Sequence, residues 1–311
     1  MRDLAQLPVD LRNGGEITSV ANGGDKLRCA RILGVAVDAV DIQGSLAIIN
    51  AHLTSGRKGF VCAVGVHGIL EALRIPELAE TYAQSILNTP DGAPTVWIGR
   101  LQGFRQMDHV TGPALMKEIF SRREFASRSH FFYGGKPGVA AELASSMLCQ
   151  FPWIRIAGSY TPPFRNLTED EEREVAAHIN SLHPDFIWVG ISTPRQELWM
   201  RHMLPRMNAG LMSGVGAAFD FHTGRIRECP LWIKRAGFNW LHRLMQDPRR
   251  LWRRNLHNML FLWYFAFQLT GLRRYPLPRS INRAGSPCEG RADQTYSDAP
   301  QAPAARWLRR W

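Results

Sequence analysis

The sequence predicts an α/β protein with a mostly parallel β-sheet flanked by helices. Two observations support this class. Short runs rich in β-branched and aromatic residues recur between residues 29 and 222, and amphipathic segments of about 10–15 residues separate them. Strands that alternate with helices of this length form βαβ units, in which the strands run parallel. We therefore expect a Rossmann-like core over residues 29–222, followed by a helical, basic C-terminal appendage.

The individual elements of the core follow from these local patterns. Thr168 and Glu171 have the spacing of a capping box, which marks the beginning of one helix. The predicted strands are Ile32–Val37, Phe60–Val64, Ser85–Leu87, His130–Tyr133, Ile154–Ala157, Phe186–Ile191 and Leu211–Val215. The predicted helices are Pro113–Phe125, Val139–Gln150, Glu169–Ser181 and Pro194–Met203.

Beyond residue 222 the strand pattern stops and helical patterns continue. Asp247 and Pro248 fit an N-cap followed by a proline in the first turn, so one helix should end and another begin there. The predicted helices are Leu231–Ala236, Phe238–Gln246 and Pro248–Leu269. The expected organisation is a poorly ordered segment, the core, the helical appendage and a disordered basic tail, at residues 1–28, 29–222, 223–272 and 273–311.

Positive charge is concentrated in the last quarter of the chain. Residues 1–224 carry 21 lysines and arginines and 22 aspartates and glutamates, whereas residues 225–311 carry 17 and five, with six of the ten tryptophans. Arginine interleaved with aromatic and aliphatic residues is typical of a surface that meets an anionic, partly apolar partner. A phospholipid headgroup layer or a lipid-linked phosphate has both properties, and a nucleic acid has mainly the first.

Cysteine usage and hydropathy bound the location of the protein. The five cysteines are scattered without a CxxC pair, which argues against a disulfide framework or a zinc site and favours a reducing compartment. The first residues lack the order of a signal peptide. The longest apolar run, Met259 to Phe267, is about half the roughly 20 residues that span a bilayer. We therefore expect a protein of a reducing compartment that does not span a membrane but lies on its surface.

Two glycine- or proline-containing turns follow predicted strands, at the edge where open α/β sheets bind ligands. Gly134 and Gly135 would let backbone amides approach a phosphate, although a simple tight turn explains them equally well. Thr193 to Glu197 reads as a capping box with Thr193 as N-cap. Arg195 adds a cation to a helix start, which favours an anionic ligand beside it, and Gln196 and Glu197 have groups that could bind sugar hydroxyls.

Three further strand ends carry candidate residues with plain structural alternatives. Gly214 and Gly216, with Asp220 shortly after them, permit close approach of a ligand or of a packed helix, and packing is the simpler explanation. Asp91 beside Gly92 is positioned as a general base, but an Asp-Gly turn is the commoner reading of the tripeptide. His67 could hold a phosphate or assist proton transfer, whereas an isolated histidine is more often structural. The candidates here are Gly214, Gly216, Asp220, Asp91, Gly92 and His67.

Several motifs are absent, which excludes some classes of enzyme, and a cluster of arginines suggests phosphate binding. There is no Asp-x-Asp of the metal-dependent nucleotide-sugar enzymes, no Gly-x-Ser-x-Gly and no complete GxGxxG in the chain. Arg243, Arg250 and Arg253 would share one face of a continuous helix, and guanidinium groups suit phosphate oxygens. A solvated basic face over core aromatics is the alternative.

Six ordered motifs carry a family resemblance: TPDGAPTVW (89–97), VTGPALM (110–116), FFYGGKPG (131–138), STPRQELWM (192–200), GVGAAFDFHTG (214–224) and AGFNWLHRLMQDPRRLWRR (236–254). Together they resemble the WecG/TagA/CpsF glycosyltransferases, glycosyltransferase family 26, over about Ile32 to Phe265. The resemblance implies an inverting transfer from a UDP-sugar donor to a prenyl-pyrophosphate-linked acceptor in the synthesis of cell-envelope polysaccharides, by a cytoplasmic protein peripheral to the inner face of the cell membrane. Because the chain has no Asp-x-Asp motif, we expect no metal or other cofactor.

The resemblance also implies roles for particular residues. The family's general base falls on Asp91, and its acceptor-pyrophosphate arginines fall on Arg243, Arg250 and Arg253. The TPRQE glutamine, here Gln196, and the GVG loop would line the nucleotide-sugar pocket. One departure stands out, because many members have a Thr-x-Asn-like stretch where this chain has Ala63-Val64-Gly65.

Other function classes fit the sequence less well. A nucleic-acid-binding protein would use the basic C-terminal region, but the near-neutral core and the aromatics favour lipid. A nicotinamide-dependent oxidoreductase lacks its glycine motif and an acidic residue at the right distance. The sugar is left open, with a lean toward hexose from the exopolysaccharide-like PDGAPTVW motif, and a homo-oligomer is left open as well.

Overall fold

The computed structural model describes residues 28–227, 229–230, 233 and 239–278. Its centre is a sheet of six parallel strands in the order β4-β3-β8-β7-β5-β6, which confirms the predicted fold class. Because the strands are parallel, the turns that follow them all lie along one edge of the sheet. The strands are β3 (Gly59–Val64), β4 (Leu87–Pro90), β5 (Ser129–Gly134), β6 (Arg155–Tyr160), β7 (Phe186–Gly190) and β8 (Leu211–Gly214).

Helices cover both faces of this sheet and bury its central strands. Phe186 to Val189 of β7 are fully buried, as expected for a strand with helices on both sides. The buried apolar residues accordingly form two clusters. The helices of the core are α1 (Ile42–Thr54), α2 (Val66–Ala72), α3 (Pro76–Gln84), α4 (Ala93–Leu101), α5 (Gly112–Ser121), α6 (Val139–Gln150), α7 (Glu169–Ser181), α8 (Arg195–Met203) and α9 (Ala218–His222).

The first predicted strand is wrong: residues 32–37 are not one strand. They belong to an antiparallel hairpin of β1 (Cys29–Ile32) and β2 (Val35–Asp38) that forms its own two-stranded sheet. The chain turns at Leu33 and Gly34, whose φ values are 49° and 81°. Leucine rarely adopts such a φ, so an apolar run concealed the turn.

The hairpin packs beside β4 and is hydrogen-bonded to it. The Asp38 carboxylate accepts a 2.6 Å hydrogen bond from the Asn88 backbone N–H, and the Asn88 side-chain amide donates to the Ala36 carbonyl at 2.9 Å. The strand β4 lies at Leu87–Pro90 rather than at the predicted Ser85–Leu87. The prediction was displaced because Asn88 is polar yet buried, and a hydrophobic pattern does not detect such a residue as part of a strand.

Helix boundaries agree better with the sequence. The capping box at the beginning of α7 is confirmed, because Glu171 Oε2 accepts from the Thr168 N–H at 2.8 Å and Thr168 Oγ1 accepts from the Glu171 N–H at 3.3 Å. The predicted helix 113–125 is divided into α5 and a short 3₁₀ turn at Arg123–Phe125.

Two helices follow the core, α10 (Asn239–Gln246) and α11 (Pro248–Leu269). They meet at Asp247 and Pro248, as predicted. Leu251 and Phe261 of α11 are buried, and the helix packs against α2. The predictions for residues 1–27, for residues 279–311 and for most of Leu231–Ala236 fall outside the described residues.

The last turn of α11 is fixed to the hairpin through side-chain amides. Gln268 Oε1 accepts from the Leu33 N–H at 2.9 Å, and Gln268 Nε2 donates to the Arg31 carbonyl at 3.0 Å. Gln102, which follows α4, also bonds both backbone groups of Arg31, at 2.9 Å each. Two glutamines from distant parts of the chain therefore hydrogen-bond to the backbone at the edge of β1.

Candidate active site

A large cleft lies along the carboxyl edge of the parallel sheet. Its volume is about 2290 Å³, and the turns after β3, β4, β5, β7 and β8 line one side of it. Residues of α10 and α11 line the other side, including Trp240, Arg243, Asn255 and Asn258. The topology thus brings most of the sequence-predicted site residues to one cavity. Lining residues among them are His67, Asp91, Gly92, Gly135, Thr193, Arg195, Gln196, Gly216, Asp220 and Arg243.

Asp91 stands in the cleft directly after β4. Its backbone N–H donates to the Val64 carbonyl at 3.0 Å, and Gly92, with a φ of 101°, turns the chain into α4. A Cβ at position 65 would lie 2.9 Å from the Asp91 carbonyl oxygen. Gly65 is therefore required by the close approach of the Asp91 backbone, which gives a packing reason for the departure from the family pattern.

Gly134, the last residue of β5, and Gly135, which follows it, have different surroundings. A Cβ on Gly134 would lie 2.6 Å from the Gly190 carbonyl oxygen, so this glycine lets β5 and β7 approach closely. Gly135 lines the cleft with Lys136, and its N–H donates to the Gly190 carbonyl at 3.1 Å. Gly134 thus has a packing role, while Gly135 and Lys136 face the cavity.

The turn between β7 and α8 does not form the predicted capping box. Helix α8 begins at Arg195, and no side chain caps it. Thr193 Oγ1 donates instead to Glu197 Oε1 at 2.8 Å, and Gln196 Nε2 donates to the same oxygen at 2.9 Å. Both side chains turn toward the buried carboxylate of Glu197 because hydrogen-bonding it lowers the cost of its burial.

Glu197 lies behind the lining of the cleft. Its side chain is fully buried, and it reaches the cavity only through Thr193 and Gln196. Burial disfavours the charged form and raises the pKa of the Glu197 carboxyl to about 7, although the hydrogen bonds from Gln196 and Thr193 act in the opposite direction. Glu197, which we expected to bind sugar hydroxyls, instead lies behind Thr193 and Gln196 and accepts hydrogen bonds from both.

The turn after β8 is connected to α8 by the same glutamine. The Gly216 N–H donates to Gln196 Oε1 at 3.0 Å. Gly216 has a φ of 56°, and a Cβ on Gly214 would lie 3.0 Å from Gln196 Nε2. Close packing explains Gly214, whereas Gly216 and Asp220 line the cleft.

An aromatic wall of the cleft was missed by the sequence analysis. The rings of Tyr133 and Trp199 stack with centroids 4.0 Å apart at an angle of 18°, and Tyr160 stacks on the other side of Tyr133 at 5.8 Å. Tyr133 and Trp199 both line the cavity near Arg195. Trp199 lies one helical turn after Arg195, and this i, i+4 spacing is the signal that could have identified it.

Only one of the three predicted arginines has a described side chain that lines the cleft. Arg243 does so, with its guanidinium 5.3 Å from the centre of the Phe221 ring. Arg253 is exposed and lies 5.4 Å from the Trp252 ring. Arg250 belongs to α11, but its side chain is outside the described part of the structure.

Two properties of the described residues concern metal binding and membrane insertion. No three histidine, cysteine, aspartate or glutamate side chains within that part of the chain are grouped so that they could hold a metal ion. Among the helices of the same residues, none is both long enough and apolar enough to cross a bilayer.

The parallel sheet with a cleft at its carboxyl edge is the arrangement in which open α/β folds bind their ligands. The chain belongs to the Glycosyl transferase WecG/TagA/CpsF family, whose model matches residues 30–275. It is thus a glycosyltransferase, and the resemblance drawn from the six motifs is confirmed.

Two bacterial relatives carry a more specific description. The N-acetylglucosaminyldiphosphoundecaprenol N-acetyl-beta-D-mannosaminyltransferase of Bacillus spizizenii is 28% identical over 210 residues, which cover 67% of this chain and 78% of the relative. The protein of the same description from Bacillus subtilis is 28% identical over 188 residues, covering 60% of this chain and 70% of the relative.

Proposed function

We propose that this enzyme transfers a sugar from a UDP-sugar to a prenyl-pyrophosphate-linked acceptor at a membrane surface, with inversion at the anomeric carbon. One observation carries the proposal: a single cleft contains the Asp91 carboxylate from the sheet and the Arg243 guanidinium from the helices that follow the core. The first suits proton abstraction, and the second suits a pyrophosphate. The names of the two relatives describe transfer to a diphosphoundecaprenol-linked sugar, which supports this substrate class.

The chemistry assigned to the cleft is a single displacement. Asp91 takes the proton of the acceptor hydroxyl as its oxygen attacks the anomeric carbon. The bond from that carbon to the β-phosphate oxygen breaks, and its electron pair leaves with UDP. Lys136 and Arg195, both in the lining of the cleft, are placed to offset the charge that develops on the departing diphosphate. We assign His67, Gly135, Gly216 and Asp220 to the substrate pocket.

Exposed apolar side chains of the last two helices support the proposed peripheral attachment to a membrane. Trp240, Trp252 and Trp263 are each about half exposed or more, as are Leu256 and Met259. Aromatic and aliphatic side chains beside arginines suit the headgroup region of an anionic bilayer. Binding there would bring the lipid-linked acceptor to the mouth of the cleft.

The donor and the pathway are the finer parts of the proposal. The relatives are named for N-acetylmannosamine, whereas the PDGAPTVW motif favours a hexose of exopolysaccharide synthesis. Both kinds of donor belong in the assay. We expect no dependence on a divalent metal, because the chain has no Asp-x-Asp motif to hold one and because Lys136 and Arg195, which line the cleft, can offset the diphosphate charge.

The test is transfer from a panel of radiolabelled UDP-sugars to a short prenyl-pyrophosphoryl glycan, with and without EDTA. We expect one donor to give product at a rate that EDTA leaves unchanged. The absence of transfer from every donor would refute the proposal. A nucleic-acid-binding protein is the alternative, and it would instead show steeply salt-dependent affinity for duplex DNA without affinity for anionic vesicles.

A further inference from the structure

Glu197 is a fully buried carboxylate that lies under the floor of the cleft. Within the described residues its Oε2 atom has no hydrogen-bond partner. Burying a carboxyl group with one oxygen unsatisfied is unfavourable when no cation compensates it. The presence of glutamate at this buried position therefore calls for a reason beyond packing.

The hydrogen bonds of its other oxygen supply that reason. Thr193 and Gln196 both donate to Oε1, at 2.8 and 2.9 Å. A carboxylate oxygen only accepts, so the Gln196 amide must direct its NH₂ group toward Glu197. Its carbonyl oxygen then faces the opposite way and accepts from the Gly216 N–H at 3.0 Å.

This arrangement connects two turns that belong to neighbouring strands. Thr193 and Gln196 lie after β7, and Gly216 lies after β8, which pairs with β7 in the sheet. Gln196 is nearly fully buried, and a Cβ on Gly214 would contact its amide. The orientation of one amide therefore determines how both turns present their groups to the cleft.

We propose that Glu197 is a positioning residue, which holds Thr193 and Gln196 so that the turns after β7 and β8 are preformed for the donor. It acts without touching the substrate. Preformed polar groups bind a ligand more tightly because their ordering cost is met before binding. The identity of the ligand rests on the function proposed above, whereas the positioning itself can be observed without a ligand.

The ligand-free test is hydrogen exchange of the Gly216 amide, measured by NMR in the wild type and in Glu197→Gln. A glutamine at 197 can turn its NH₂ group toward Thr193 and Gln196, which removes the fixed acceptor for the Gln196 amide and weakens the constraint on the bond from Gly216 to Gln196. We expect the Gly216 amide to exchange about ten-fold faster in the variant. Unchanged exchange would overturn the inference. Glu142→Gln, an exposed carboxylate on α6, is the matched control and should leave Gly216 unaffected.

The second test is a double-mutant cycle on UDP affinity. Glu197→Ala and Gln196→Ala should each weaken UDP binding about ten-fold, and the double variant should be no weaker than either single one, because both remove the same orientation. Losses that multiply to about a hundred-fold, or a Glu197→Ala protein that is less stable but binds UDP normally, would contradict the inference. If Glu197→Ala does not fold, Glu197→Gln replaces it in the cycle.

Steady-state kinetics separate this inference from the proposed function. Glu197→Gln should raise KM for the donor several-fold and leave KM for the acceptor within two-fold, roughly, of the wild type. If the wild-type protein binds no UDP, but Gly216 exchange is still faster in Glu197→Gln, the proposed donor is refuted and the positioning role of Glu197 stands. Donor KM unchanged in a variant with faster Gly216 exchange would refute the link from positioning to donor binding.

Discussion

The two sides of the cleft are built in opposite ways. On the sheet side, Gln196 and Glu197 are buried and joined by hydrogen bonds into one network. On the helical side, Trp240 of α10 is 47% exposed and Met259 of α11 is 53% exposed, and both line the cleft. A side with fixed polar groups suits a small, polar ligand whose shape is constant. A side with exposed apolar groups suits a partner whose surface supplies the remaining contacts, so the difference supports the proposal that the donor binds at the sheet and the acceptor at the helices.

Asp91→Asn should have the largest effect, because it removes the proposed general base from the sheet side of the cleft. We expect turnover to fall by about 10³-fold or more, since the amide cannot accept the acceptor's proton. UDP affinity should stay within about three-fold of the wild type. Single-turnover transfer and UDP titration measure the two quantities. Retained turnover would remove Asp91 from the catalytic role.

The buried carboxyl group of Glu197, on the sheet side of the cleft, predicts that the stability of the protein depends on pH. Its pKa is raised to about 7 in the folded protein by burial, so the folded state holds this proton more tightly than the unfolded state. The stability from this group is complete below the unfolded pKa of about 4.5 and is lost as the pH rises through about 7.

Urea unfolding of the wild type and Glu197→Gln between pH 4 and pH 8, approximately, measures this effect. The wild type should lose up to about 3 kcal/mol relative to the variant across that interval, because each pKa unit corresponds to about 1.4 kcal/mol. The neighbouring Tyr82 does not contribute, since burial raises its pKa well above the usual value for tyrosine. Parallel curves for the two proteins would contradict the prediction.

Arg243→Ala tests whether the helical side holds the acceptor. Removing a cation that meets a pyrophosphate costs about 1.5–3 kcal/mol, so kcat/KM for the acceptor should fall about 10- to 100-fold. The donor KM should change little. Arg249→Ala is the matched control, because Arg249 is an exposed cation of α11 that does not line the cleft. Equal losses in both variants would instead indicate a general charge effect.

Trp263→Ser should produce the smallest effect and change membrane binding without changing chemistry on a soluble acceptor. Loss of one interfacial tryptophan should lower the partition onto anionic vesicles about five- to ten-fold. Leu148→Ser, at a partly exposed leucine of α6, serves as control and should not alter partition. Sedimentation with vesicles measures both. An equal response of the two variants would argue against a membrane-facing α11.

The sequence predicted the sheet and the position of most site residues because parallel strands place their following turns at one edge. It failed at the hairpin, where Leu33 adopts a positive φ inside an apolar run. It failed also at Glu197, since a charged residue in a first helical turn is ordinarily exposed. Nothing local in the sequence indicates that its carboxylate turns inward to Thr193 and Gln196, because that contact depends on how tightly β7, β8 and α8 pack.

The arginines illustrate a further limit of spacing arguments. Arg243 and Arg253 fit one helical face on paper, but α10 and α11 are separate helices that meet at Asp247. Arg243 therefore lines the cleft, while Arg253 extends along Trp252. Because the helix axis is interrupted at Asp247, the seven- and three-residue spacings no longer place these arginines on one face.

The amide contacts of Gln268 and Gln102 with Arg31 make the hairpin a structural bridge between the two sides of the cleft. The last turn of α11 is bonded to Arg31 and Leu33. Asp38 and Ala36 of the same hairpin are bonded to Asn88 of β4. A continuous path of hydrogen bonds and backbone therefore runs from the end of α11 to the strand that precedes Asp91.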